Sequence, residues 1–315
     1  MSYVDLGSDA LRTLSAVLDA GTFDAAAEQL HITPSAVSQR IKALEVSVGR
    51  ILVRRTKPIT PTRDGEVLAR MAKQWDLLSR EAQLELSGDL GLSGDLDDVA
   101  AAPLVDRPRV HLPIAANADS LATWLLPVLA RFHRENPVAV EVIRDDEAVN
   151  SSRLVTGEVM GAITSDPLAI RGTTLRALGT MRYLPVATPE FLDLWMPRGV
   201  DDSALAKAPM VQFDRNDELQ RRVLAMMSGE VLDPPAVYIP ASTEYHRAIE
   251  SGMGWGAVPL AQVTDALEDG RVVTLTDLYV DVPLYWQYWT LGSSLLRTLT
   301  EMIADGAREH LLPPA

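Results

Sequence analysis

Ser35, Ser38, Gln39 and Lys42 fall at i, i+3, i+4 and i+7, a spacing that puts two hydroxyls, an amide and a cation on one face of a helix. Such a face can approach groove edges and phosphates closely and exchange hydrogen bonds with them. The opposite face, Val37, Ile41 and Leu44, is apolar and would seat the helix on a core. Thr33 and Pro34 open it: the threonine hydroxyl caps a free amide, and the proline sits in a first turn where its missing N–H costs nothing. Taken alone, this pattern fits a DNA reader and an ordinary solvated helix equally well. Further on, Arg54-Arg55-Thr56-Lys57-Pro58 forms a basic turn between Ile51-Leu52-Val53 and Ile59-Thr60. That is the layout of a β-hairpin wing whose cations would clamp a phosphate backbone.

The elements that must position these groups are legible on either side. Leu11, Leu14, Val17 and Leu18 predict a first helix that ends at Ala20-Gly21; Thr22 caps a second, whose Ala25-Ala26-Ala27 run lets another helix pack close. Gly49 ends the third. From Gly65 onward Leu68, Met71, Trp75, Leu78 and Ala82 recur at alternating steps of three and four, which predicts one long helix with an apolar seam for pairing two chains. Residues 87–108, rich in Ser, Gly, Asp and Ala, read as a linker. The body begins at Arg109, with strands expected over 110–115, 138–143, 160–164, 183–187, 209–213, 236–240, 255–258 and 284–289. Helices alternate with them, including a short one at 153–158 and a last one carrying Leu295, Leu299 and Ile303. This order predicts a parallel α/β sheet in two lobes joined by two crossings, with a small-molecule cleft between. The expected division is 1–64 for the head, 65–86 for the linker helix, 87–108 for the linker and 109–315 for the body. Its first lobe is expected at about 109–180 and 265–315, and its second at about 181–264.

Composition narrows the function. The 315 residues are 47% hydrophobic with a mean hydropathy of +0.04, and no run approaches the roughly 18 apolar residues of a membrane span. With no basic-then-apolar leader, a cytoplasmic location is expected, without a membrane partner. Zero cysteines exclude disulfides, thiolate metal sites and a cysteine nucleophile. His31, His111, His133, His246 and His310 lie too far apart for metal-ligand spacing, so no metal, no catalytic residue and no cofactor is expected. The net charge of -14 is the wrong sign for a chain that binds a polyanion. Its distribution resolves this: residues 31–63 carry Arg40, Lys42, Arg50, Arg54, Arg55, Lys57 and Arg63 against Glu45 alone, and the acid belongs to the body.

The head pattern Ala-Ala-x-x-Leu-x-x-x-x-Ser-Ala-Val-Ser, followed by Ile-x-x-Leu-Glu and the Thr62-x-x-Gly65 helix entry, resembles the LysR-type transcriptional regulators. The stretch 116–124 (Ala-Asn-Ala-Asp-Ser-Leu-Ala-Thr-Trp) and Tyr285-Trp286 resemble the branch of that family that senses basic amino acids and controls lysine export and arginine uptake. The resemblance implies an N-terminal winged helix-turn-helix, a linker helix and a two-lobed, periplasmic-binding-protein-like α/β effector domain. It implies a double-stranded DNA operator, lysine or arginine as effector, activation of an amino-acid exporter gene, a homodimer or homotetramer, and room for RNA polymerase as a partner. It carries over Pro34, Ser35, Ser38, Gln39 and Lys57 as DNA contacts; Thr33, Lys42, Arg54 and Arg55 join them as neighbours on the same helix and wing. Residues 87–108 are longer than the family pattern.

A free basic amino acid presents an α-carboxylate, an α-ammonium and a distal cation, so its site needs amide and hydroxyl donors at one end and carboxylates at the others. Asn117, Asp119 and Ser120 lie where the first body strand turns into a helix. Thr164 and Ser165 end another strand, Asp214 ends the strand at 209–213, and Thr243 and Glu244 open a helix after Ser242. Asp119, Asp214 and Glu244 are the acids expected to select a cation. Ser120 and Thr243 read equally as helix caps, and Asp145, Asp146 and Glu147 more simply as a solvated charge run. The competing classes are an α/β enzyme and a solute-binding module carrying an unrelated N-terminal helical domain. Gly252-Met253-Gly254-Trp255-Gly256 is only superficially like a dinucleotide loop, since it follows a helix and leads into a strand, the reverse of the required order.

Overall fold

Three short helices and a two-stranded hairpin build the head in the computed structural model, which describes residues 6–86, 109–144 and 153–314. The linker at 87–108 and the acidic run Asp145, Asp146 and Glu147 lie outside the described residues. α1 (Ser8–Ala20), α2 (Phe23–Leu30) and α3 (Pro34–Val48) start and stop on local chemistry. Thr22 Oγ1 accepts from Ala25 N and Thr33 Oγ1 from Ala36 N, each at 3.2 Å, while Gly21 and Gly49 close α1 and α3 in the left-handed region. Leu14, Val17, Ala26, Val37 and Ile41 share one core with Leu52 and Ile59 of the hairpin.

The hairpin strand is shorter than expected. β1 (Val53–Arg54) pairs antiparallel with β2 (Thr60–Pro61), and Ile51 and Leu52 precede the ladder. The reason is Glu45, whose Oε1 accepts from Leu52 N at 2.8 Å and from Val53 N at 3.3 Å and so takes up amides that a longer strand would pair. α4 (Arg63–Leu86) follows, with Thr62 Oγ1 accepting from Gly65 N at 3.1 Å. Gly65 is fixed by close approach, because a Cβ there would lie 1.9 Å from the carbonyl oxygen of Leu52. Gly65→Ala is therefore expected to destabilise the head by about 2 kcal/mol or more, read as a lowered midpoint in urea.

The seam expected on α4 divides between two faces. Leu68 turns inward with Ala72, whereas Val67, Met71 and Trp75 are exposed, Trp75 by 51%. Lower on the helix, Leu77 and Leu84 join the core of the body. The helix thus belongs to both halves of the protein and still presents an apolar stripe outward.

In the body, β3 (Val110–Ala116) lies parallel to β4 (Val138–Arg144) and to β5 (Gly161–Thr164). Between β3 and β4 runs a helical stretch of α5 (Ala118–Ser120), a π-helical turn (Leu121–Leu125) and α6 (Leu126–Glu135). The wholly parallel sheet expected from the sequence is not what forms. β6 (Thr173–Ala187) and β11 (Val280–Trp289) are long antiparallel partners that run through both lobes, and β9 (Gly256–Pro259) and β10 (Val273–Thr274) add to β6 antiparallel as well. Residues 173–182 were outside the expected strands because polar side chains and Gly179 interrupt their apolar period.

The second lobe holds α7 (Pro189–Trp195), α8 (Asp202–Leu205), β7 (Met210–Gln212) parallel to β8 (Ala236–Tyr238), α9 (Glu218–Met227), α10 (Ser242–Glu250) and α11 (Leu260–Glu268). Val263, Ala266 and Val272 pack in one cluster with Val186, Val211 and Ile249. α12 (Ser294–His310) closes the chain against the first lobe through Leu295, Leu299 and Ile303.

Candidate functional site

The polar face of α3 is open. Thr33, Pro34, Ser35, Gln39 and Lys42 are exposed and Ser38 is half-buried, while Val37, Ile41 and Leu44 are sealed in the head core. Thr33 Oγ1 and Ser35 Oγ lie 3.0 Å apart, which ties the first turn to its cap. Arg54, Arg55 and Lys57 are exposed on the hairpin, with the Arg55 guanidinium 5.7 Å from the centre of the Phe23 ring. Helix face and wing leave an exposed set of donors and cations whose charge is opposite to that of the body, as contact with a polyanion requires.

The second candidate site lies between the lobes and centres on Asp119, at the start of the helical stretch after β3. Ser242 Oγ donates to its Oδ1 at 2.6 Å from the second lobe, and Tyr183 OH donates to its Oδ2 at 2.7 Å from β6. Gln262 joins from α11, its Nε2 donating to the carbonyl oxygen of Ser242 at 3.2 Å. Burial pushes the Asp119 carboxyl above the ordinary aspartate range, and the two donated bonds pull it back only in part. Asp217 caps α9, accepting from Phe213 N at 2.9 Å and Gln220 N at 3.1 Å, yet burial raises it too, and the nearby charges of Asp119 and Asp214 raise it further. The buried Tyr245 phenol is held well above its usual range by burial and by Asp217 and Asp119, and donates to the carbonyl oxygen of Val211 at 3.0 Å. Carboxylates crowded in this way favour a cation, which would relieve both their burial and their mutual repulsion.

The expected residues divide. Asp119 and Asp214 are in this region, Asp214 with Oδ1 accepting from Asn216 N at 2.6 Å. Asn117 is buried and caps the helix through Oδ1 to Ser120 N at 3.3 Å, and the Ser120 hydroxyl is fully buried without a hydrogen bond among the described residues. Thr164 is buried and accepts from Asp166 N at 3.0 Å, with Ser165 half-buried beside it. Thr243 and Glu244, however, are exposed on the first turn of α10 and are not joined to the Asp119 cluster. The residue that reaches Asp119 is their neighbour Ser242, because one helical step swings a side chain by about 100°. Tyr183, Gln262 and Asp217 were not among the expected residues. Asp217 had a signal, an aspartate followed by a helical run, but that reads as a cap and nothing more.

Residues 8–66 match the family described as bacterial regulatory helix-turn-helix protein, lysR family, and residues 106–308 match the LysR substrate binding domain. The lysine export transcriptional regulatory protein LysG of Corynebacterium efficiens is 40% identical over 96% of this chain and 98% of its own length. The crystal structure of ArgP from Mycobacterium tuberculosis superposes with a TM-score of 0.84 at 36% identity, covering 99% of this chain and all of that one. Full-length LysG from Corynebacterium glutamicum with bound effector Arg gives a TM-score of 0.79, also at 36% identity, with 98% and 100% covered.

Proposed function

The chain belongs to the LysR family of bacterial helix-turn-helix regulators, and from that premise we propose that it is a DNA-binding transcriptional regulator switched by a free basic amino acid, lysine or arginine. The observation that carries the effector is the buried, hydrogen-bonded Asp119 with Asp214 and Asp217 across the cleft. These acids neutralise the two cations of the amino acid, and the Ser120 hydroxyl, which has no partner among the described residues, receives the carboxylate. Similarity to a lysine export regulator and to a LysG holding arginine supports the same class of ligand, and activation of an amino-acid exporter gene as the output.

The protein works as a homo-oligomer on double-stranded DNA, paired through the outward stripe of Val67, Met71 and Trp75 on α4. No helix among the described residues is long and apolar enough to cross a membrane. Its place is with the DNA in the cytoplasm, and it turns over no substrate. Thermal unfolding with L-arginine and L-lysine tests the assignment. At a hundredfold excess over Kd, a ligand that binds only the folded state adds about 2.7 kcal/mol. A rise in Tm with either amino acid, absent with glutamate or leucine, is the expected result; no rise with any amino acid overturns the effector assignment.

A further inference from the structure

We infer that Arg70 and Glu81 of α4 are positioning residues that transmit closure of the effector cleft to the linker helix; this rests on the proposed sensing of a basic amino acid. Both hold the same corner of the body, the segment in which β11 ends and α12 begins. The Arg70 guanidinium stacks over the ring of Trp289, the last residue of β11, with its carbon 4.9 Å from the ring centre. Its Nη1 donates to the carbonyl oxygen of Val155 at 2.7 Å, while Trp289 Nε1 donates to the carbonyl oxygen of Leu154 at 3.2 Å, so arginine, tryptophan and the 154–157 turn are locked together. Gly157, at φ +73°, completes the fit: a Cβ there would come within 2.7 Å of the Arg70 Cα. Three helical turns on, Glu81 is buried, and its Oε1 accepts from Ser294 N at 2.5 Å, from Leu295 N at 3.0 Å and from the Ser294 hydroxyl.

The other end of β11 lies at the cleft. Val280 is paired with Tyr183, whose hydroxyl binds Asp119, and the strand runs from there to Trp289. One continuous strand, whose pairing with β6 shifts register between Leu284 and Tyr285, therefore has the effector cluster at its first residue and the grip on α4 at its last. The first turns of α4 are in the head core through Leu68 and Ala72, so a shift at this corner reaches the DNA-reading helix through α4. Glu81 Oε2 is buried with no hydrogen-bond partner among the described residues. A contact that served only to hold the fold would gain from satisfying that oxygen, whereas a half-satisfied carboxylate suits one that is remade in a second arrangement.

Hydrogen exchange on the full-length protein, with and without saturating L-arginine and then L-lysine, tests this. In the wild type the amino acid is expected to change the exchange rates of the α4 amides by about tenfold. Arg70→Ala and Glu81→Ala are each expected to cut that change to below about twofold while calorimetric affinity for the amino acid stays within about threefold of wild type. Arg70→Ala leaves Glu81 and the donors it holds at the start of α12 in place, so it reads the coupling even where Glu81→Ala loosens the body. Variants that keep the wild-type change overturn the coupling alone, as does an affinity loss of about tenfold or more in Arg70→Ala. A wild type that binds neither amino acid overturns the functional reading and the coupling together.

Discussion

Asp119→Asn is expected to abolish the stabilisation by arginine and lysine while leaving the unliganded protein at least as stable as wild type. The asparagine keeps the size of the side chain and an acceptor for Ser242 or Tyr183, so the cleft stays formed. It removes the charge that answers the ligand's cation, and loss of one partner of a buried pair costs about 3–5 kcal/mol, hence about a hundredfold or more in affinity. The empty protein escapes this cost because its carboxylate is itself unfavourable: burial raises Asp119, and the two donated bonds recover only part. A raised carboxyl contributes stability that is present below the ordinary aspartate pKa and lost as pH rises through the folded value. At neutral pH the empty site therefore sits on the costly side, and a bound cation relieves it. It follows that binding releases protons when pH lies near the raised value, and that affinity falls as pH drops through it, at a pH where an ordinary aspartate is still ionised. Calorimetry in buffers of different ionisation enthalpy reads the proton release; an affinity that Asp119→Asn leaves unchanged would remove Asp119 from the site.

Removing Arg54, Arg55 and Lys57 together by alanine is expected to weaken binding to every duplex, by on the order of 100-fold at 0.1 M salt, and to lower the salt slope by about three. All three are exposed on the hairpin and outside the head core, so the variant should unfold at the wild-type temperature. Gln39→Ala should behave differently. An exposed amide on the reading face discriminates at a base pair, worth about 1–3 kcal/mol, and its loss should relax sequence choice with little change in salt slope. Equal loss of specificity in both variants would mean that the wing reads sequence and the division of labour is wrong.

The head was legible almost residue by residue because its signals are local. Thr22 and Thr33 cap the helices they precede, Gly21 and Gly49 end the helices they follow, and the apolar spacing of Val37, Ile41 and Leu44 marks the buried face. The wing is legible as a basic turn, but its strand begins two residues after the apolar run Ile51-Leu52-Val53 starts, since nothing local says that Glu45 will take the amides of Leu52 and Val53. On α4 the period identified an apolar seam without saying which side of it turns in. Leu68 is buried and Trp75 is not because a second apolar set, Ala72, Leu77 and Leu84, packs against the head and the body.

The effector cleft divides along the same line. That Asp119 stands between the end of a strand and the start of a helix follows from the order of residues alone, as do the two lobes. Which groups meet it does not: Tyr183 is 64 residues away and Ser242 is 123, and each arrives there only because β6 crosses between lobes and α10 faces the cleft. The same crossing strands turned the expected parallel sheet into a mixed one, for their pairing is decided by partners far along the chain. By itself, then, the sequence determined a helix-and-wing reader with a basic face, a helix that leaves it and a two-lobed acidic body, since caps, periods and charge act over a few residues. Only the tertiary structure decided that Ser242 and not Glu244 reaches Asp119, and that Arg70 and Glu81 grip the far end of β11, because phase around a helix and register along a sheet become contacts only when distant elements pack.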